Sequence, residues 1–209
     1  MQRRRTYGKR KAGNFRLLVI TPALPVLGEQ AIVRDLFGAG LSGLHLRKPG
    51  LDVKGIKAWL RYFTKAERSK IRVHSGDASL LEMGIAGLHL PFHALDKFIC
   101  AGGGITASIH SWQEYAELER TIEYAFISPV YKSLSKPGYA ENKNTWNLPA
   151  VPHVPVIALG GIRSRNIAKV IQAGFSGAGL LGTVWQQPER AVKVFNAVKD
   201  QVMSWIDEG

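Results

Sequence analysis

Cysteine, acidic residues and long apolar runs are all scarce in this chain, and each scarcity narrows what the chain can be. A single cysteine, Cys100, excludes an internal disulfide. It suits a reducing cytoplasm and reads as small buried filler rather than a nucleophile. No stretch reaches the ~18–20 consecutive apolar residues of a membrane helix. No apolar h-region stands near the N-terminus, so neither a membrane span nor a secretory signal is expected, and the expected location is cytoplasmic. No GxGxxG follows the first apolar run, where the sequence is PALPVLG, which counts against a dinucleotide fold. Asp and Glu total 16 against 28 Lys and Arg, a formal charge of +12. Six of those basic residues (Arg3, Arg4, Arg5, Lys9, Arg10, Lys11) lie in residues 1–14, which hold no acid and show no hydrophobic periodicity. That segment is expected to be a disordered basic tail: a solvated extension, a start codon set too far upstream, or a weak contact to a phosphate polymer. The balance on the body suits an enzyme for anionic substrates and argues against a dedicated nucleic-acid binder.

What is present is periodic. With 209 residues, 45% of them hydrophobic, the chain fits one globular domain. Short apolar runs recur at 15–21, 43–47, 71–74, 87–90, 105–110, 124–128, 155–159 and 177–181. Helical patterns between them are expected at Gln30–Ala39, Val53–Ser69, Ser111–Arg120, Ser164–Ala173 and Pro188–Ile206. Ser111 and Glu114 have the spacing of a capping box. Near-continuous apolar strands separated by helices argue for a parallel sheet covered on its outside. Eight such units point to an α/β fold, a single (β/α)8 TIM barrel over residues 15–209.

Several strands carry polar residues where a barrel strand should be apolar. Alternation puts Leu44 and Leu46 on the outer face and turns His45 and Arg47 inward. The same parity turns His74, His89, Ser108 and His110 toward the barrel axis near the strands' C-terminal ends. Burying unpaired polarity costs on the order of one to several kcal/mol per group. A set converging at the end where barrel sites lie therefore marks a candidate site. Several histidines on adjacent strands can bind zinc, but no carboxylate converges with them and no HxH spacing occurs, so no metal is expected.

Glycines supply the second signal. Gly160-Gly161-Ile162-Arg163-Ser164 follows the seventh strand, and Gly182-Thr183 follows the eighth. Loops at these positions are the recurrent phosphate site of the fold, because glycine lets backbone N–H groups approach an anion closely. After the sixth strand, SPVYKSLSKPGY carries Lys132, Ser133, Ser135 and Lys136 and no carboxylate. That composition suits a clamp on a second anion. Tyr139–Trp146 reads either as a lid or as a connection.

With these pieces assembled, the chain resembles the thiamin phosphate synthase / TenI family of (β/α)8 barrels from about Phe15 to Trp185. The motifs are HLRKP, GLHL, SIHS, ISPVYKSLSKPG and VPVIALGGI. The resemblance implies that Gly160, Gly161, Leu181 and Gly182 hold the phosphate of a thiazole phosphate, beside the Thr183 that the loop reading already places there. It implies that Ser133, Ser135 and Lys136 match a pyrophosphate-binding loop, with serines for threonines. It further implies that Arg47 faces a diphosphate, that Ser108 and His110 match the family's Ser-x-His, and that His110 moves a proton. His45, His74 and His89 would complete the pocket. The family's synthases join a pyrimidine diphosphate to the thiazole phosphate with Mg2+. Their metal-binding Asn-Asp is His74-Ser75 here, and a second aspartate aligns with Ala94. The expected function is therefore a metal-independent thiazole tautomerase acting on a carboxythiazole phosphate, with no cofactor. The alternatives are a divergent synthase that uses Mg2+ and a non-catalytic phosphate-binding barrel. A homodimer is expected from the resemblance.

Overall fold

The structure is a computed structural model that describes residues 15–98, 104–131 and 143–207. Eight parallel strands close into a barrel in chain order. They are β1 (Arg16–Ile20), β2 (Gly43–Leu46), β3 (Ile71–Val73), β4 (Gly87–Pro91), β5 (Ile105–Ile109), β6 (Tyr124–Ile127), β7 (Val156–Leu159) and β8 (Gly177–Leu180). Every strand expected from the sequence is present, β4 longer by one residue and the others trimmed by one or two. Closure is made by β1 against β8, with Leu17 opposite Ala178 and Val19 opposite Leu180. Expectations for residues 1–14 and for Cys100 lie outside the described residues.

The period-two reading holds. Leu17, Val19, Leu44, Leu46, Leu88 and Leu90 pack outward into the main core beneath the helices. Leu18, Ile20, Tyr124, Phe126 and Ile157 form a separate cluster inside the barrel. The inner cluster needs small residues opposite its rings. A Cβ on Gly179 would stand 2.9 Å from Cε1 of Phe126, too close to be tolerated without a shift.

Helices fill the outer ring unevenly. They are α1 (Glu29–Gly38), α2 (Val53–Leu60), α3 (Lys65–Arg68), α4 (Trp112–Ala116), α5 (Ile167–Gln172), α6 (Gly182–Trp185) and α7 (Ala191–Asp207). The continuous helix expected over Val53–Ser69 is broken in two, because Thr64 and Glu67 form a full capping box that starts α3. At α4 the expected box is only half made. The Ser111 hydroxyl accepts from Glu114 N, but the Glu114 carboxylate accepts from His110 N, one residue before the cap. The helix expected from Ser164 starts at Ile167, and Asn166 shapes its entry. Its Oδ1 accepts from Arg163 N at 2.7 Å and its Nδ2 donates to Gly161 O at 3.0 Å. In the third and fourth units 3-10 turns at Ala78–Met83 and Phe92–Lys97 take the place of helices. Of the 139–146 segment, Lys143–Trp146 is a 3-10 turn tied down at both sides. Trp112 Nε1 donates to Asn144 O, and Trp146 Nε1 donates to Val130 O.

Lys48, just beyond β2, lies under the β1–α1 loop rather than in the barrel. Its ammonium donates to Pro22 O at 2.8 Å and to the Glu29 carboxylate at 2.5 Å, with both side chains nearly excluded from solvent. A buried pair contributes little net stability, yet removing one partner leaves a bare charge. Lys48→Met should therefore destabilise the barrel by about 3–5 kcal/mol in urea denaturation. The double variant with Glu29→Met should recover most of that loss; no recovery would show that Lys48 acts through its carbonyl contacts.

Candidate active site

A cavity of 510 Å³ opens at the carboxyl ends of the strands. Its wall carries Arg47, His74, Ser75, His89, Ala94, Ser108, His110, Gly160, Gly161, Leu181, Gly182 and Thr183. Ten of the site residues expected from sequence thus converge on one cavity. His45 lies directly beneath, fully buried. Ser133, Ser135 and Lys136 lie outside the described residues.

One side of the cavity is backbone. Gly160 and Gly161 adopt φ of +108° and +63°, the left-handed region that side chains rarely enter. A Cβ on Gly160 would also approach Pro129 Cα to 3.1 Å. Among the described residues, the N–H groups of Gly161, Gly182 and Thr183 donate to no backbone carbonyl. They form a cluster of donors at the cavity wall, as an anion requires. The Thr183 hydroxyl donates instead to Ile162 O, so it holds the β7 and β8 loops together rather than facing a ligand. Asn166, which the sequence reading passed over, fixes the same loop through Gly161 O.

The opposite side carries titratable groups. Arg47 forms no ion pair among the described residues and is anchored by its backbone, where its N donates to the Thr21 hydroxyl at 2.9 Å. His110 lies one residue past the end of β5, so it is exposed at the rim rather than enclosed by the barrel. Its Nδ1 sits 3.3 Å from Ser128 O. A carbonyl can only accept, so neutral His110 carries its proton on Nδ1 and leaves the Nε2 lone pair for a ligand.

At the cavity floor three imidazoles pack together, His74 and His89 lining the cavity and His45 beneath them. His45 Nδ1 is 3.1 Å from His74 Nε2, and His45 Nε2 is 2.6 Å from the Tyr124 hydroxyl. His89 Nδ1 is 2.8 Å from the Thr106 hydroxyl, and His89 Nε2 is 2.6 Å from Ser108 Oγ. The His74 and His89 rings lie 4.1 Å apart, tilted by 30°. Burial lowers all three pKa values, reinforced by neighbouring imidazoles and by Arg72 or Arg47. His89 is brought down to about 3. The histidines are therefore neutral at physiological pH, and burial first raises the Tyr124 hydroxyl to about 12. Tyr124, Arg72 and Thr106 were missed as site residues. Strand parity, which places all three inward, is the signal that could have found them.

Two kinds of metal chemistry can be weighed against these donors. Mg2+ prefers oxygen ligands, usually including one or two carboxylates. His74, Ser75 and Ala94 all line the cavity, and among the described residues no Asp or Glu does. The described lining therefore offers Mg2+ no carboxylate. Ring nitrogens of His45, His74 and His89 lie within 4.8 Å of one another, a spacing a softer cation could use. Such an ion would have to displace the hydrogen bonds that both nitrogens of His45 and His89 already make, beside the Arg47 and Arg72 charges.

The chain matches the sequence profile of the thiamine monophosphate synthase family over residues 29–184. It is 25% identical over 190 residues to a Geobacter sulfurreducens protein named for thiamine-phosphate synthase, covering 84% of this chain and 89% of that one. It is 27% identical over 129 residues to the thiamine-phosphate synthase of Listeria welshimeri, covering 56% of this chain and 62% of the relative. In structure it is similar to thiamine phosphate pyrophosphorylase from Bacteroides thetaiotaomicron, with a TM-score of 0.72 at 23% identity and coverage of 90% and 98%. The enzyme of that name from Pyrococcus furiosus gives 0.71 at 20% identity, with coverage of 92% and 98%. At these identities the structural likeness speaks to the fold.

Proposed function

Since the chain belongs to the thiamine monophosphate synthase family, whose substrates are small phosphorylated compounds, we propose that it acts on a phosphorylated thiazole, as a tautomerase that needs no metal. The observation that carries this reading is the composition of the cavity wall. A backbone anion cradle stands on one side, imidazoles, serines and one arginine on the other, and among the described residues no carboxylate between them. In this reading the backbone of Gly160, Gly161, Leu181, Gly182 and Thr183 holds the phosphate. His110 Nε2 takes the carbon-bound proton of a carboxythiazole phosphate, and Ser108 and Arg47 position the rest of the ligand. Ser133, Ser135 and Lys136 would supply two hydroxyls and a cation to a second anion. The working unit is proposed to be a homodimer.

A second reading is a divergent synthase. The names of the relatives favour it, and the unpaired Arg47 guanidinium suits a diphosphate. The two separate in one experiment. The protein is given carboxythiazole phosphate, or pyrimidine diphosphate with thiazole phosphate, each with and without EDTA. The expected result is aromatisation of the first substrate at an unchanged rate in EDTA. Pyrophosphate release that EDTA abolishes would replace the tautomerase with the synthase. Ligand binding without either turnover would leave a phosphate-binding barrel.

A further inference from the structure

The hydrogen bonds around His45, His74 and His89 determine where each proton sits. Arg72 has only N–H donors and lies against the Tyr124 hydroxyl. The phenolic proton therefore has one acceptor within reach among the described residues, His45 Nε2 at 2.6 Å. Neutral His45 must then carry its own proton on Nδ1 and donate it to His74 Nε2 at 3.1 Å. Neutral His74 is left with its proton on Nδ1, which meets no hydrogen-bond partner among the described residues in the cavity that His74 lines. A parallel argument fixes His89. Thr106 donates its hydroxyl proton to Leu88 O, so it accepts from His89 Nδ1–H. His89 Nε2 then accepts from Ser108, whose lone pairs turn toward the cavity.

We propose that His74 is a further catalytic residue of this site, a proton donor resupplied through His45 from Tyr124. The proposal rests on the proton-transfer reading above, in which His110 takes the carbon-bound proton. That C–H bond breaks, and its electron pair stays in the conjugated ring system. His74 Nδ1–H then gives its proton to the atom at the far end of that system. As it does, His45 Nδ1–H passes to His74 Nε2 and the Tyr124 proton passes to His45 Nε2. Each imidazole ends neutral with its proton on the other nitrogen. The single negative charge rests on the Tyr124 oxygen, with the Arg16 and Arg72 guanidinium carbons each 5.1 Å from its ring centroid. The array refills in reverse order from solvent when product leaves, and His110 gives its proton to water.

The test has one arm that needs no turnover. In protein labelled with 15N-histidine, long-range 1H–15N correlations report the tautomer of each ring. The expected pattern is Nδ1–H on His45, His74 and His89 at pH 7. An Nε2–H tautomer or an imidazolium at His74 would overturn the relay even in an active enzyme. So would tight Co2+ binding that shifts all three rings together, because it would make the cluster a metal centre. The second arm uses carboxythiazole phosphate. His74→Asn keeps an N–H donor at the position of Nδ1 but cannot relay a proton. Its kcat should fall by ~10²-fold or more with KM nearly unchanged. Tyr124→Phe should lower kcat at least tenfold and let the His45 and His74 tautomers average. Wild-type kcat in His74→Asn would reduce His74 to a binding group and overturn the proposal. A wild type that converts only the synthase substrates would remove the tautomerase reading and the relay's substrate with it, whereas tautomerase turnover with the Nε2–H tautomer at His74 would remove the relay alone.

Discussion

His110→Ala is expected to lower turnover of carboxythiazole phosphate by ~10²–10⁴-fold, the usual contribution of a positioned general acid or base. Phosphate affinity should stay close to wild type. The imidazole stands at the rim, its Nδ1 committed to Ser128 O and its backbone N to the Glu114 carboxylate. Only the Nε2 lone pair is lost to the substrate, while the glycine cradle at the ends of β7 and β8 is untouched. Full activity in the alanine variant, in both the tautomerase and the synthase assays, would make His110 a capping residue of the β5 end and nothing more.

Acid should unfold this barrel earlier than its ion pairs alone would suggest. In the unfolded chain each histidine takes up a proton near pH 6.5, whereas folded His89 does so only at about 3. Between those limits the unfolded state holds the extra proton, so stability falls as pH falls and is fully kept above about 6.5. Each enclosed imidazole contributes a slope of about 1.4 kcal/mol per pH unit. His45 and His74 are lowered in the same direction by the same burial, so the slope below 6.5 should be two to three times that of one site. Urea denaturation at pH 7 and pH 5 measures it. Glu67 and Asp77 are carboxylates held below their usual range by hydrogen bonds, and they act only in more acid solution. A flat profile from pH 7 to 5 would mean that the histidines are solvated. His89→Gln should remove about one share of the slope.

Much of this was legible from residue order alone. Runs such as RLLVI and YAFI needed only the period-two rule to become barrel strands, and GLHL showed through its leucines which face was polar. The break before α3 was legible too, since Thr64-Lys65-Ala66-Glu67 is a capping signature that the longer apolar stripe overshadowed. What could not be read is register. That Tyr124 sits against His45, 79 positions away, depends on how β2 and β6 are staggered through the strands between them. No local pattern encodes that stagger. Lys48 shows the same limit. Its outward direction follows from strand parity, but its partner Glu29 lies on another element and is found only after folding.

Barrel closure also sets a clock. Trp185 Nε1 donates to Ile20 O across 165 positions of chain, beside the β1–β8 ladder. At ribosomal rates of ~5–20 residues per second, the strand made first waits roughly ten to thirty seconds for its second neighbour. During that interval RLLVI presents an apolar, unpaired edge to the cell, the feature most prone to pairing with another chain. Yield on rapid overexpression should therefore depend on temperature and chaperone supply even for variants whose folded stability is unchanged.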